Sequence, residues 1–221
     1  MRQLETTGLA VEYFPAFEQK EHDFHTHDFI EILFVLDGSF RQVTSDRTYD
    51  ETMGGLTIIN YEQYHTLQTP GGPVELMNLY WKPTAYPVSG FPETVETKLQ
   101  DLFPVHPRLG HRLNRVWHLQ VDEPGRAARL LRMLHAEQET ARPGCEAAID
   151  ALFRLFLIET CRAAPPEHAI PSGFDPAMER VRRHLERHYA EPVRLEQLCA
   201  LSGLKKAKIG RASCRERVCH R

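Results

Sequence analysis

The feature that most constrains this chain is a change of apolar period partway along it. Between residues 8 and 90 the apolar residues come in short runs rich in β-branched and aromatic side chains. Turn residues punctuate them every ten or so positions: 29–36 ends at Asp37-Gly38, 56–60 opens at Gly54-Gly55, and 74–81 closes at Lys82-Pro83. Runs of this kind predict an antiparallel sandwich or barrel. From Pro124 onward the period is helical. Ala127, Leu130, Leu131 and Leu134 follow the i, i+3, i+4, i+7 rule, and Pro143-Gly144 interrupts. Ala148, Ile149, Leu152, Phe153, Leu155, Phe156, Leu157 and Ile158 then form a second helix. No helix-length period is evident before about Pro92, which assigns 1–92 to the barrel and 93–162 to a helical region. The second helix is apolar over more than one face. Either the same helix of another copy covers the surplus, giving a homodimer, or the helix is buried within its own domain.

Composition sets the compartment. In 221 residues, 42% of them apolar, no stretch approaches the ~20 apolar residues of a membrane span. The opening Met-Arg-Gln-Leu-Glu-Thr-Thr lacks the apolar core of a secretory signal. The expectation is a cytoplasmic protein without a membrane partner. Cys145, Cys161, Cys199, Cys214 and Cys219 are odd in number and lack metal-site spacing apart from a loose Cys214-x4-Cys219-His220, which points to reduced thiols.

Charge is distributed unevenly. Residues 176–221 hold 12 Lys/Arg against 5 Asp/Glu, whereas 1–175 hold 15 against 25. An acidic body with a basic C-terminal stretch fits a polyanion partner for that stretch, although a solvated basic helix face explains the charge equally well. The pattern there breaks the tie. Asp175 caps a helix with Pro176 at its first position, and Met178, Val181, Leu185 and Tyr189 make one apolar stripe before Glu191-Pro192 ends it. A second helix spans about 195–201, and Gly203, among Leu198, Cys199 and Leu204, allows a steep helix-helix turn. That is the layout of a helix-turn-helix over 175–208. The proline-rich, apolar-poor stretch 163–174 serves as its linker.

The chemistry-bearing cluster is His25-Thr26-His27-Asp28-Phe29-Ile30-Glu31, with Gly38 seven residues further on and His65 arriving after Gly55. A two-residue period would set His25, His27 and Glu31 on one strand face. The spacing His-x-His-x3-Glu-x6-Gly resembles the first motif of cupin barrels. The second motif is degraded, since Asn60 to Gln63 stands where a Pro-x-Gly turn is usual and no Asn follows His65 at the expected distance. Three imidazoles and a carboxylate can hold a divalent transition metal with an open position. Alternatively, they hydrogen-bond a polar effector or each other with no metal at all.

Taken together, residues 8–208 resemble the AraC family of bacterial transcription regulators, and residues 25–38 with 74–83 look most like its sugar-responsive branch, rhamnose regulators included. The resemblance implies an α+β chain: a cupin-like antiparallel barrel, a helical hairpin for dimerisation and an all-α helix-turn-helix domain that activates transcription. It implies a small-molecule effector, a saccharide, held by His25, His27, Glu31 and His65, and promoter DNA as the second partner. Lys205, Lys206, Lys208 and Arg194 are the DNA-binding candidates. No catalytic residue, metal or cofactor is expected, the same four residues being the candidates should a metal bind. The competing class is a metal-dependent cupin enzyme, a dioxygenase or sugar isomerase. Two departures matter. Arg194 stands at a helix cap where the family favours Ser or Thr, a loss of about 0.5–2 kcal/mol. Residues 209–218 (Ile-Gly-Arg-Ala-Ser-Cys-Arg-Glu-Arg-Val) resemble a translated sequencing adapter, so 209–221 is expected to be a non-native tail on a truncated helix-turn-helix without specific DNA binding.

Overall fold

The computed structural model describes residues 2–19, 23–44, 47–103, 116–164, 181, 184–185 and 193–203. The chain divides into two compact units, Met1–Ala164 and Pro165–Arg221. In the first, helix α1 (Arg2–Thr7) precedes strands β1 (Leu9–Phe17), β2 (Ile30–Asp37), β3 (Ser39–Thr44), β4 (Thr48–Thr52), β5 (Gly55–Ile59), β6 (His65–Gln68) and β7 (Val74–Trp81). Helix α2 (Glu93–Leu102), strand β8 (Val116–Gln120) and helices α3 (Pro124–Thr140) and α4 (Cys145–Ala163) complete it.

The strands form two antiparallel sheets, one ordered β1-β7-β2-β5-β8 and one β4-β3-β6. Strand β2 lies between β7 and β5 and is buried through its first six residues. Because side chains alternate across a strand, its residues divide by parity. Ile30, Ile32 and Phe34 face outward and join a core with Leu56, Ile58, Met77, Leu79 and Trp81 against the helical residues Leu131, Leu134, Phe153 and Phe156. Leu33 and Val35 face the other way and pack with Phe40, Ile59, Leu67, Val74 and Leu76 between the sheets. Trp81 anchors the outer core, edge-to-face with Phe103 (5.4 Å) and Phe153 (5.2 Å), its indole N–H donating to the Tyr86 carbonyl at 2.8 Å.

Helix α3 also closes a sheet edge. β1 is terminal in its sheet, and unpaired edge groups invite association with other strands. Here the Val11 N–H donates to Gln138 Oε1 (2.8 Å), Gln138 Nε2 donates to the Leu9 carbonyl (3.3 Å), and His135 Nδ1 lies 3.1 Å from the Val11 carbonyl.

Two elements depart from the sequence reading. Val116–Gln120, within the stretch expected to be helical, is a strand paired with β5 along its whole length, so the sheet continues past residue 92. Five residues are too few for alternation to stand out from background. The six-residue α1 is likewise below the length at which a helical period is visible. On α4, Phe153, Phe156, Leu157, Thr160 and Cys161 are buried, and Ile149, Leu152 and Leu155 pack against the same core. Much of the surplus apolar face therefore serves this chain's own domain.

In the second unit, Leu195–Ser202 form helix α5. Arg194 makes no side-chain cap, but the box is half present by another route. The Arg194 N–H donates to Gln197 Oε1 at 2.8 Å, which offsets part of the loss expected at this position. Gly203 ends the helix at φ +68°, its N–H donating to the Cys199 carbonyl at 2.9 Å. Val181 is buried and Leu185 is exposed. Met178, Tyr189, the linker 165–174, Leu204, Lys205, Lys206, Lys208 and the tail 209–221 lie outside the described residues. Among the described residues Cys145, Cys161 and Cys199 are free thiols, and burial pushes the Cys161 thiol up to about 12. Among them, too, no helix is long and apolar enough to cross a membrane.

Because Phe153 is fully buried between Trp81 and Tyr86, Phe153→Ala should lower unfolding free energy by about 3–5 kcal/mol, read from urea denaturation.

Candidate functional site

The parity that sends Leu33 and Val35 between the sheets sends Glu31 there too, buried at 7% exposure. The sequence reading sets His25, His27 and Glu31 along one strand, but β2 begins only at Ile30. His25 instead forms an isolated bridge with His65, the first residue of β6, with N–H to carbonyl distances of 3.0 and 3.1 Å in the two directions. His27 sits in the irregular segment between them. Irregular backbone and bridge together bring all four residues to one place, and Glu31 Oε2 stands at its centre, 3.3 Å from His27 Nε2 and 3.2 Å from His65 Nε2. The His25 ring lies 4.5 Å from that of His65 and 6.3 Å from that of His27.

Each imidazole is committed on its other nitrogen. Nδ1 of His25 faces the Asp23 carbonyl (3.1 Å), Nδ1 of His27 the Phe29 carbonyl (2.7 Å) and Nδ1 of His65 the Gln63 carbonyl (2.9 Å). A carbonyl only accepts, so each Nδ1 carries the proton, and the neutral tautomer presents Nε2 as a lone pair. Two such lone pairs aimed at one buried carboxylate oxygen repel it. The arrangement is favourable only when the Nε2 atoms are protonated or a cation lies among them.

The other carboxylate oxygen is spoken for. Asn78 Nδ2 donates to Glu31 Oε1 at 2.5 Å, the same amide lies 3.0 Å from Tyr80 Oη, and the Tyr80 hydroxyl donates to Glu12 Oε2 at 3.2 Å. Burial alone would raise the Glu31 carboxyl, but the hydrogen bonds and positive charge of His27 and His65 overcome it and hold the group well below the usual carboxylate range. Tyr80 is pushed up, first by burial and then by the charges of Glu31 and Glu12. Asn78, Tyr80 and Glu12 escaped the sequence reading. The available signal was the two-residue period of β7, in which Asn78 and Tyr80 share a face with Val74 and Leu76.

The eroded second motif has a structural signature. Glu62 adopts φ +57°, a left-handed conformation that glycine takes without strain, and its N–H donates to the His27 carbonyl at 2.9 Å. The turn is kept without its glycine. Just beyond it, Tyr64 is half exposed and stacks on Phe24 with ring centroids 4.9 Å apart, an aromatic pair next in sequence to His65 and His25.

The donor set fits a divalent cation. One ligand atom each from His25, Glu31 and His65 lies within 4.8 Å of the others. His27 Nε2, Glu31 Oε2 and His65 Nε2 are buried without a hydrogen bond of regular geometry, and the Nδ1-to-carbonyl contacts are the supports that orient imidazole ligands.

Two sheets enclosing an inward histidine-carboxylate nest, with helices packed on one outer face, define a cupin-like antiparallel sandwich. Residues 13–157 match the AraC-like ligand binding domain, more than half of the chain, and the protein belongs to that family. Among solved structures, apo ToxT K231A from Vibrio cholerae strain SCE256 is 11% identical, with 93% of this chain and 74% of that one covered at TM-score 0.40. A putative ethanolamine utilization protein Q from Salmonella typhimurium LT2 is 18% identical over 36% of this chain and 62% of its own length, at 0.31. Oxalate decarboxylase from Bacillus subtilis is 20% identical over 44% and 27%, at 0.32. No curated protein matches the sequence.

The nest predicts cation binding that can be measured without any activity. In metal-free buffer, Zn2+ should raise the melting temperature by mass action, and His65→Ala should remove the rise. An identical rise in wild type, His65→Ala and Glu31→Gln would place zinc elsewhere.

Proposed function

We propose that the chain is the effector-sensing part of an AraC-type transcription regulator and that the barrel interior grips a small polar molecule, a sugar. One observation carries the reading: a buried carboxylate, Glu31, braced by His27, His65 and Asn78 on the inner face of a domain of this family. Small-molecule sites combine an apolar shell with a few convergent polar groups. Here Leu33, Ile59, Leu67 and Leu76 supply the shell. Hydroxyls both donate and accept, so a saccharide matches a set made of imidazole nitrogens and a carboxylate. A cytoplasmic setting and promoter DNA as the second partner follow from the family rather than from the nest.

Thermal shift of the full chain against pentoses, hexoses and 6-deoxyhexoses should find a stabiliser whose effect is lost in Glu31→Ala and His65→Ala. An unchanged effect in both variants would remove the nest from the pocket.

A resident cation is a second reading of the same nest, favoured by the three Nδ1 positions. It would be held by His25, Glu31 and His65 with His27 beside them, supplying a Lewis-acidic point to which a polar ligand binds. Stoichiometric metal whose chelation uncovers a loss of turnover would favour a cupin enzyme over a sensor.

For the second unit we propose phosphate contact without base reading. Arg194, Lys205, Lys206 and Lys208 provide cations, whereas Ala212 and Ser213 fall where bulky residues would anchor a reading helix. Phosphate contacts position a protein but carry no sequence information. DNA binding should therefore be weak and equal on promoter and scrambled duplexes, and fall steeply with salt. Discrimination between the two at physiological salt in a gel shift would show a working reading element. Homodimerisation through α3 and α4 remains part of the proposal, and light scattering of the full chain at micromolar concentration decides it by mass.

A further inference from the structure

A second polar cluster lies on the inner faces of strands that contribute nothing to the nest. Thr57 of β5 and His118 of β8 are cross-strand partners. Thr57 Oγ1 donates to Glu51 Oε1 of β4 at 3.0 Å, and Nδ1–H of His118 donates to the same oxygen. The Tyr49 ring stacks on His118 with centroids 3.5 Å apart. Directly opposite Tyr49 on β3 stands Gln42, on the inward face with Phe40.

Gln42 is the anomaly. It is 0% exposed, and among the described residues neither its Oε1 nor its Nε2 has a hydrogen-bond partner; the same holds for His118 Nε2. Buried polar groups are nearly always paired, and an unpaired amide lowers stability. An amide kept at such a position, one residue removed through Tyr49 from a histidine with one bare nitrogen, is placed for something other than folding.

The chemistry of the bare groups narrows what they meet. Gln42 offers two N–H donors and one acceptor. His118, with its proton committed toward Glu51 at Nδ1, offers a lone pair at Nε2. The Glu51 carboxylate repels anions. Adjacent hydroxyl groups, each both donor and acceptor, satisfy this set. We infer that Gln42, Glu51 and His118 form a second subsite inside the barrel that binds the hydroxyls of a neutral sugar or polyol. It rests on reading the barrel as an effector pocket, but it uses none of the nest residues. The two clusters share one interior: the residue opposite Glu31 on β5 is Ile59, two positions from Thr57.

The test is calorimetric titration of the full chain with L-rhamnose, L-arabinose, D-xylose and D-mannitol, in wild type, Gln42→Met, His118→Phe and Glu31→Ala. Gln42→Met keeps the side-chain length and removes only the unpaired amide. It should raise the melting temperature by about 2 to 4 °C and weaken the best-binding probe about tenfold or more. A merely structural glutamine, satisfied by buried water, gives the opposite result: a lower melting temperature and unchanged affinity. That outcome, an affinity within twofold of wild type in both Gln42→Met and His118→Phe, or no binding of any probe overturns the inference. Loss in Glu31→Ala alone leaves the nest as the effector site and sinks the second subsite. Loss in Gln42→Met alone does the reverse, and loss in both shows one ligand spanning the two.

Discussion

Strand β2 is buried on both faces, and that constraint organises everything else in the first unit. Its even-numbered residues need helices to cover them and its odd-numbered residues need a second sheet. A one-residue slip in register would exchange the two sets and drive Glu31 into the helical core. Leu33 and Val35 would trade places with Ile32 and Phe34, apolar for apolar, so the cost of the slip falls on the carboxylate, which would lose its polar partners inside an apolar core. Glu31 thus helps to fix the register that places it.

Once Glu31 is inward, electrostatics determines its surroundings. A carboxylate removed from water has to be matched by hydrogen bonds and opposite charge. Asn78 takes one oxygen, while His27 and His65 converge on the other. Backbone carbonyls hold the far nitrogen of each imidazole, so the nest is preorganised by main chain on one side and by side chain on the other. Preorganisation of this kind lowers the cost of accepting a cation or a hydroxylated molecule, which is what the proposed sensing role asks of it.

Much of this was legible in the sequence, unevenly. The turns at Asp37-Gly38 and Gly54-Gly55 delimit β2 and β5 because glycine there takes φ +83° and +82°, and the spacing of Ala127 to Leu134 shows α3 because about two turns of helix repeat one signal. That His25, His27, Glu31 and His65 lie together could be read from spacing, although the path differs: a bridge and an irregular segment stand where a continuous strand was expected. Asn78 and Tyr80 were hidden because a polar residue in a strand does not reveal its face until the register is known. Gln42, Glu51 and His118 come from three strands, and no local motif links them. β8 was hidden by its brevity, and the Gln197 half of the capping box by an N-cap residue, Arg194, that carries no capping side chain of its own.

The packing of Glu51 reaches beyond its own bonds. Gly55 has an ordinary backbone conformation, so glycine is not required there by φ. Yet a Cβ at this position would stand 2.5 Å from Glu51 Oε2 and 2.9 Å from the Thr52 carbonyl. The carboxylate occupies the space that any other residue at 55 needs. The two positions are therefore bound in their order of change: in a diverging lineage, residue 51 must shorten or turn away, and the Thr52 backbone must give, before a side chain can appear at 55, and once one has appeared, the road back to glutamate is closed.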